Sequence, residues 1–198
     1  MPGADTSTVN EIPGDLFDAP EGSGLIHACN TQGNWGAGIA RAFKQRYPAA
    51  FQYYRDHCLQ FVRSRATHDI IDLQDPNEST VSVRLPVGTT LIIPPQPADI
   101  RSGQKKQWVI CLFTSQGFGR RVDSPDLITN CTYSALKDLK DQIARLRQQL
   151  WVPMPDELYS CRFNSGLFAV PWEQTRQLVE DVGLPMTVVY PPEEFEAE

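Results

Sequence analysis

Short apolar runs alternate with segments of helical periodicity along this chain, and few architectures accommodate that alternation. Each run is only a few residues long, which is typical of a buried strand. Strands are expected at residues 25–29, 89–93, 108–113, 158–163 and 186–190, and helices at residues 39–47, 49–62, 127–150 and 172–182. Strands that alternate with helices predict an α/β fold with a largely parallel sheet.

The length of the chain suits one such domain. A chain of 198 residues buries about 70% of its unfolded surface, so it needs no disulfide or metal to fold. Residues 1–10 are expected to be a disordered lead-in, and residues 11–198 to be the folded domain. Residues 64–85 have mixed polarity and weak periodicity, and we expect a loop excursion there.

The net charge of −6 disfavours a general nucleic-acid binder. The charge is uneven, because residues 101–121 contain five Lys and Arg and no acidic residue. Solvated faces explain most of these side chains. A local basic field also suits a small ligand that carries one or two phosphates.

Cysteine usage indicates a reducing compartment. The five cysteines include no C-x-x-C pair and no Cys/His cluster along the sequence, which argues against a zinc site and a disulfide framework. The first residues lack the pattern of a signal peptide, and no apolar run approaches the ~18 residues of a membrane helix. We therefore expect a cytoplasmic and/or nuclear monomer with no metal, no cofactor, no nucleic acid and no membrane partner.

Two glycine-bearing loops each connect an expected strand to an expected helix. Residues 30–38 (NTQGNWGAG) form the first, and residues 164–171 (NSGLFAVP) form the second. A helix N-terminus behind glycines offers free N–H groups to an anion. The first loop matches neither the Walker A motif nor G-x-G-x-x-G, so taken alone it is equally consistent with a tight turn. A pair of such loops in one sheet can enclose a diphosphate from both sides.

These loops resemble the ligand loops of the macrodomain family, whose ligand is ADP-ribose. Residues 27–30 (HACN) and 36–40 (GAGIA) match the first family loop, and residues 165–171 (SGLFAVP) match the second. Residues 14–16 (GDL) resemble the family's Gly-Asp-Ile/Leu entry. The resemblance spans residues 12–190 and implies one macrodomain, a three-layer α/β/α sandwich with a mixed, mostly parallel sheet.

Within the family, the chain is most similar to the ADP-ribose 1″-phosphate phosphatase branch. That resemblance implies hydrolysis of the 1″-phosphomonoester to ADP-ribose and phosphate, as clearance of a by-product of tRNA splicing. Because no metal-ligand cluster appears along the sequence, we expect the reaction to be metal-independent. A branch that removes ADP-ribose from glutamate has a catalytic Asp where this chain has Phe168. A non-catalytic ADP-ribose reader and a hydrolase of protein-linked ADP-ribose remain the alternatives.

The resemblance also implies roles for single residues. Asp15 would accept a hydrogen bond from the adenine amino group, although its local sequence also suits a helix cap. Asn30 would reach the distal ribose hydroxyls and would belong, with His27, to the catalytic residues near the 1″-phosphate. His27 would orient or deprotonate water, or protonate the leaving oxygen, with a core position as the rival interpretation. Asp123 is a further candidate acid or base, and either Arg120 or Arg121 a candidate counter-charge for the terminal phosphate.

The remaining predicted ligand contacts lie in or near the two loops. Glycines and their neighbours would act through backbone N–H groups. Phe168 would pack on the distal ribose or fill the core, and Trp35 would cover the pocket or be exposed on its loop. Phe195 would stack on adenine or belong to a frayed tail. The full set adds Leu16, Trp35, Gly36, Ala37, Gly38, Ile39, Asn164, Ser165, Gly166, Leu167, Phe168 and Phe195 to Asp15 and Asn30.

Overall fold

The computed structural model describes residues 7–149 and 152–192. Its strands are β1 (Val9–Pro13), β2 (Gly24–Asn30), β3 (Thr67–Ile71), β4 (Thr80–Arg84), β5 (Thr90–Ile93), β6 (Trp108–Ser115), β7 (Leu158–Ser160) and β8 (Met186–Tyr190). Its α-helices are α1 (Gly38–Arg46), α2 (Pro48–Val62), α3 (Pro97–Arg101), α4 (Pro125–Gln148) and α5 (Trp172–Val182).

Within the described residues, one mixed sheet contains six strands in the order β1-β8-β7-β2-β6-β5. Neighbouring strands are parallel throughout, except that β5 runs antiparallel to β6. The predicted mixed, mostly parallel sheet is therefore confirmed.

The two faces of the sheet bury separate cores, because successive side chains of a strand point to opposite faces. Ile26 of β2 packs with side chains of α4 and α5, such as Leu139 and Val179. Leu25 of the same strand packs on the other face with side chains of α1 and α2, including Phe43. Helices cover both faces, which confirms the three-layer sandwich.

Local sequence explains where the long helices begin and end. The hydroxyl of Ser124 accepts a hydrogen bond from the N–H of Leu127 (3.4 Å), and Pro125 occupies the first turn of α4. Gly183 ends α5 in the left-handed region, at φ +65°. The predicted helix boundaries hold to within about two residues at these ends.

The expectation of a loop at residues 64–85 is wrong. Strands β3 and β4 form a two-stranded antiparallel hairpin that packs on α4. Each strand buries a single side chain fully, Ile70 in β3 and Val83 in β4, and the two join a small cluster with Cys131. A strand that buries only one side chain shows almost no alternation of apolar and polar residues, so hydrophobic periodicity could not reveal these two strands.

The boundary drawn at residue 10 is also wrong. Val9 and Asn10 belong to β1 and pair with Met186 and Thr187 of β8. This polar segment is ordered because β8 supplies hydrogen-bond partners for its backbone N–H and C=O groups. Residues 1–6 lie outside the described part of the chain.

A cleft of about 1060 Å³ lies at the amino ends of the parallel strands. Gly22, Lys106 and Asp156 line it, each just before the start of a strand. From residues 95–107, Pro95 also lines this cleft. Among residues 7–149 and 152–192, none of the helices combines the length and apolar character required to cross a bilayer.

Candidate active site

The predicted ligand loops follow three adjacent strands at the carboxyl edge of the sheet. Residues 31–37 follow β2, residues 161–171 follow β7, and residues 116–123 follow β6. A side chain built on Gly38 would lie 3.8 Å from Cδ1 of Leu167, so the start of α1 approaches the second loop. The fold therefore brings together the two loops that the sequence paired. Ligands of open α/β sheets bind at this edge.

The first loop leaves the N-terminus of α1 open. Ala37 is its N-cap residue and makes no side-chain capping hydrogen bond, and residues 36–39 are exposed. Gly38 has φ +54°, a conformation that favours glycine. The first N–H groups of α1 therefore face solvent at the gap between the loops, where they suit an anion.

Asn30 is buried at the base of the first loop and braces it. Its Oδ1 accepts a hydrogen bond from the N–H of Gln32 (2.9 Å), and its Nδ2 donates to the carbonyl of Asn34 (2.7 Å). The hydroxyl of Tyr54 donates to the carbonyl of Asn30 (2.7 Å). One Nδ2 hydrogen is left for a ribose hydroxyl, so the predicted contact stays a prediction.

Asp15 is the N-cap of a short 3₁₀ turn at Leu16–Asp18. Its Oδ1 accepts a hydrogen bond from the N–H of Phe17 (3.0 Å), which confirms the helix-cap interpretation. Its Oδ2 pairs with the guanidinium of Arg46 (3.3 Å), which lies over the Phe17 ring. A carboxylate has about four lone-pair sites, so Asp15 can keep its bonds to Phe17 and Arg46 and still accept a bond from adenine. The adenine contact stays a prediction. The Leu16 side chain is buried in the core.

The second loop presents backbone and not polar side chains. Asn164 adopts φ +68°, which Asn tolerates, and its side chain points inward. Its Oδ1 accepts from Thr114 (3.0 Å) and its Nδ2 donates to Thr132 (2.8 Å). The Ser165 hydroxyl donates to the carbonyl of Arg162. Both ends of the Asn164 amide are therefore bonded within the protein, and a ligand contact at Asn164 stays a prediction.

Three further loop residues differ in exposure. Gly166 and Leu167 are open to solvent, and the Leu167 side chain is 69% exposed. Phe168 is half-buried, which suits either of its predicted roles. Phe195 lies outside the described residues.

The third loop borders a cavity of about 580 Å³ next to the first loop. Asp123 lies on its rim and accepts a hydrogen bond through Oδ2 from the N–H of Gln116 (2.7 Å). Gly117 is required here, because a Cβ would lie 2.1 Å from the carbonyl oxygen of Arg121. Two arginines, Arg84 and Arg121, line the cavity together with polar loop residues and an apolar side. The complete lining is Thr31, Gln32, Phe61, Val62, Arg84, Leu85, Pro86, Gln116, Gly117, Arg121 and Asp123. Arg84 and Leu85, which belong to the segment predicted as a loop at residues 64–85, thus border this cavity.

His27 and Trp35 are both fully buried beneath the first loop. The imidazole of His27 stacks on Phe43 with ring centroids 4.1 Å apart, and Trp35 stacks on Tyr54 at 4.7 Å. The expectation that Trp35 covers the pocket or is exposed is wrong, because its indole anchors the loop from inside the core. The catalytic role of His27 stays a prediction, and its burial favours the rival core interpretation.

The fold also brings together a Cys/His cluster that residue spacing did not reveal, because one member lies on a different strand. The ligand atoms of His27, Cys29 and Cys111 lie within 4.8 Å of one another, because β2 and β6 are adjacent. The sulfur of Cys29 is 3.6 Å from Nδ1 and 3.5 Å from Nε2 of His27. A sulfur almost equidistant from both nitrogens lies off both lone-pair directions, and burial raises the pKa of Cys29 well above its usual value. The arrangement is that of a buried thiol packed against the edge of an imidazole and does not fit a metal.

Comparison with known proteins identifies the family. No protein-family model matches the chain. A protein of Aspergillus fumigatus named ADP-ribose 1″-phosphate phosphatase is 53% identical over 190 residues, which cover 93% of this chain and 95% of that protein. A protein of the same name from Aspergillus oryzae is 48% identical over 199 residues, covering 98% of each.

Solved structures agree on the fold. The macrodomain of Mycobacterium tuberculosis DarG has a TM-score of 0.60 at 22% identity and covers 93% of this chain and 97% of its own. Thermosipho africanus DarTG in complex with ADP-ribose has a TM-score of 0.61 at 15% identity, over 93% of this chain and 42% of its own. With the sequence matches, these likenesses show that the chain is a macrodomain protein and belongs to the ADP-ribose 1″-phosphate phosphatase family.

Proposed function

We propose that this protein hydrolyses ADP-ribose 1″-phosphate to ADP-ribose and inorganic phosphate. The observation that carries the proposal is the meeting of two glycine-bearing loops above the open N-terminus of α1, next to a cavity with arginines on its lining. Relatives that match the chain over almost its whole length are named for this activity. A macrodomain neighbour in complex with ADP-ribose supports the ligand class.

Four parts of the substrate fit four parts of the site. Adenine lies near Asp15, after β1, and the diphosphate lies between the first and second loops. The distal ribose then lies at Asn30, and the 1″-phosphate enters the 580 Å³ cavity. Free N–H groups at the start of α1 hold the diphosphate, because a helix N-terminus favours negative charge.

Chemistry at the 1″-phosphate requires one water molecule and releases one phosphate. Arg121 borders the cavity and supplies positive charge where the phosphate and its transition state are negative. Asp123 holds the third loop through the N–H of Gln116 and faces the same cavity. The rate gain in this proposal comes from fixed dipoles and from the positioning of substrate and water.

The test is release of inorganic phosphate from ADP-ribose 1″-phosphate. Wild-type protein is expected to release phosphate, and Arg121→Ala is expected to lower kcat/KM by about tenfold to a hundredfold, the range of a lost charge-assisted hydrogen bond. Affinity for ADP-ribose, which lacks the terminal phosphate, is expected to stay within about twofold by calorimetry.

Arg120→Ala is the matched control, since Arg120 is an exposed neighbour outside the cavity lining. Its kcat/KM is expected to match that of the wild type. Binding of ADP-ribose without any phosphate release by the wild-type protein would contradict the proposal and indicate a reader. Release of ADP-ribose from modified protein without release of phosphate from the 1″-phosphate would indicate a hydrolase of protein-linked ADP-ribose.

A further inference from the structure

The pairing of β2 with β6 is interrupted where the first loop begins. His27 pairs with Cys111 and Cys29 pairs with Phe113, but the next residue, Asn30, pairs with Ser115. The register therefore shifts by one residue between Cys29 and Asn30. Irregularities of this kind bend a strand, re-aim its side chains and commonly lie next to active sites.

Side chains from two other elements bind the backbone groups at this interruption. The hydroxyl of Tyr54, on α2, donates to the carbonyl of Asn30 (2.7 Å). On the β6 side, the N–H of Gln116 donates to the carboxylate of Asp123 (2.7 Å). Each backbone group therefore keeps a hydrogen bond while the two strands separate into the first and third loops.

Tyr54 also reaches the side chain of Asn30. Its oxygen lies 3.1 Å from Oδ1, the same atom that accepts the N–H of Gln32. With Nδ2 bonded to the carbonyl of Asn34, the Asn30 amide is held at both ends. The direction in which its remaining N–H points is thus set partly by Tyr54.

The ring of Tyr54 is itself immobilised. It is fully buried, stacks on Trp35 at 4.7 Å and lies nearly parallel to Phe113 at 6.0 Å. Burial raises the pKa of Tyr54 far above its usual value, so the hydroxyl stays protonated and remains a donor at every pH at which the protein works.

We infer that Tyr54 is a positioning residue for the distal ribose, acting through Asn30. Tyr54 itself contacts no ligand. Its hydroxyl fixes the carbonyl and the side-chain amide of Asn30, and Asn30 contacts the ribose. The inference rests on the proposed binding of ADP-ribose. It does not require turnover, so it can be tested by binding alone.

The test compares two ligands in Tyr54→Phe, a change that keeps the ring and removes the hydroxyl. ADP has the adenosine and diphosphate but lacks the distal ribose, so it makes no contact with the remaining N–H of the Asn30 amide. ADP-ribose affinity is expected to fall by about tenfold, the effect of losing about 1.4 kcal/mol of hydrogen bonding. ADP affinity is expected to change by less than about twofold.

Tyr53→Phe is the matched control, because Tyr53 is the neighbouring residue on α2 and is 47% exposed. It is expected to bind both ligands as the wild type does. An equal loss for ADP and ADP-ribose would mean a general structural role and overturn the inference, and so would unchanged affinity for both. A wild-type protein that binds ADP-ribose but releases no phosphate would overturn the proposed activity and leave this comparison valid.

Discussion

The imidazole of His27 stacks on Phe43, lies edge-on to Trp35 and has no exposed surface. His27 lies in β2, three residues before the first loop, where the sequence predicted a role for it in the reaction. Asn30, three residues further on, is buried as well, but its amide shapes the loop through hydrogen bonds. At the scale of single residues, therefore, the side chains beneath the loop build its shape, while residues 36–39 leave their backbone exposed at its surface.

The substitution His27→Asn separates packing from proton transfer, because a carboxamide cannot exchange a proton near neutral pH. We expect the free energy of unfolding to fall by about 1–3 kcal/mol, since ring packing is lost and an amide is buried. Phosphate release at saturating substrate is expected to stay within a few fold. Denaturant unfolding and the phosphate assay measure the two effects.

A different result for His27→Asn would restore the catalytic interpretation. That result is a loss of turnover of about a hundredfold or more with ADP-ribose affinity retained, the size expected when a general acid or base is removed.

Helix α2 depends on another element for its start. Its N-cap residue, Tyr47, makes no side-chain capping bond, and Pro48 occupies the first turn. The buried carboxylate of Asp99, on α3, accepts the N–H of Ala49 (2.9 Å) and of Ala50 (3.0 Å). Because α2 carries Tyr54, this cap lies at one end of the helix that supports the first loop.

At the scale of this element, Asp99→Asn is expected to destabilise the protein. One carboxylate oxygen becomes an NH₂ group that faces a backbone N–H, so a charge-assisted bond is replaced by an unfavourable contact. We expect a loss of about 2–3 kcal/mol and a fall in Tm of roughly 4–12 °C in thermal unfolding. The exposed Asp141→Asn on α4 is the control and should leave Tm unchanged. An unaltered Tm in Asp99→Asn would show that the cap contributes nothing measurable.

The whole molecule assembles its site from distant parts of the chain. Asp15, the first loop, the third loop and the second loop lie up to about 150 residues apart and meet only because their strands share one sheet edge. A ligand that spans them binds the folded state alone. Binding should therefore stabilise the entire domain.

At this scale we expect ADP-ribose to raise Tm. A concentration of about 100 times Kd contributes ~2.7 kcal/mol, or roughly 5–10 °C for a domain of this size. Lys106→Ala, in the 1060 Å³ cleft at the opposite end of the strands, should show the same increase. If that substitution abolished the increase, the ligand would bind at the amino ends of the strands, and a Tm insensitive to ADP-ribose would contradict the site altogether.

The sequence by itself determined the fold class, the long elements and the two glycine-bearing loops that follow β2 and β7. Each of these has a local signal: an apolar run, a proline at a helix start, or a glycine where backbone must approach a ligand. Gly183 could be assigned to the end of α5 and Gly38 to the first loop because a left-handed residue is a property of its own position.

Only the tertiary structure decided what the polar and aromatic side chains do. Trp35 and Asn164 point inward, and the hydroxyl of Tyr54 reaches Asn30 across 24 positions. The neighbours of His27 and Cys29 include Cys111, which β6 brings alongside β2. These outcomes depend on which segments the sheet order places side by side. Contacts between residues far apart in the chain leave no periodicity or spacing from which to infer them.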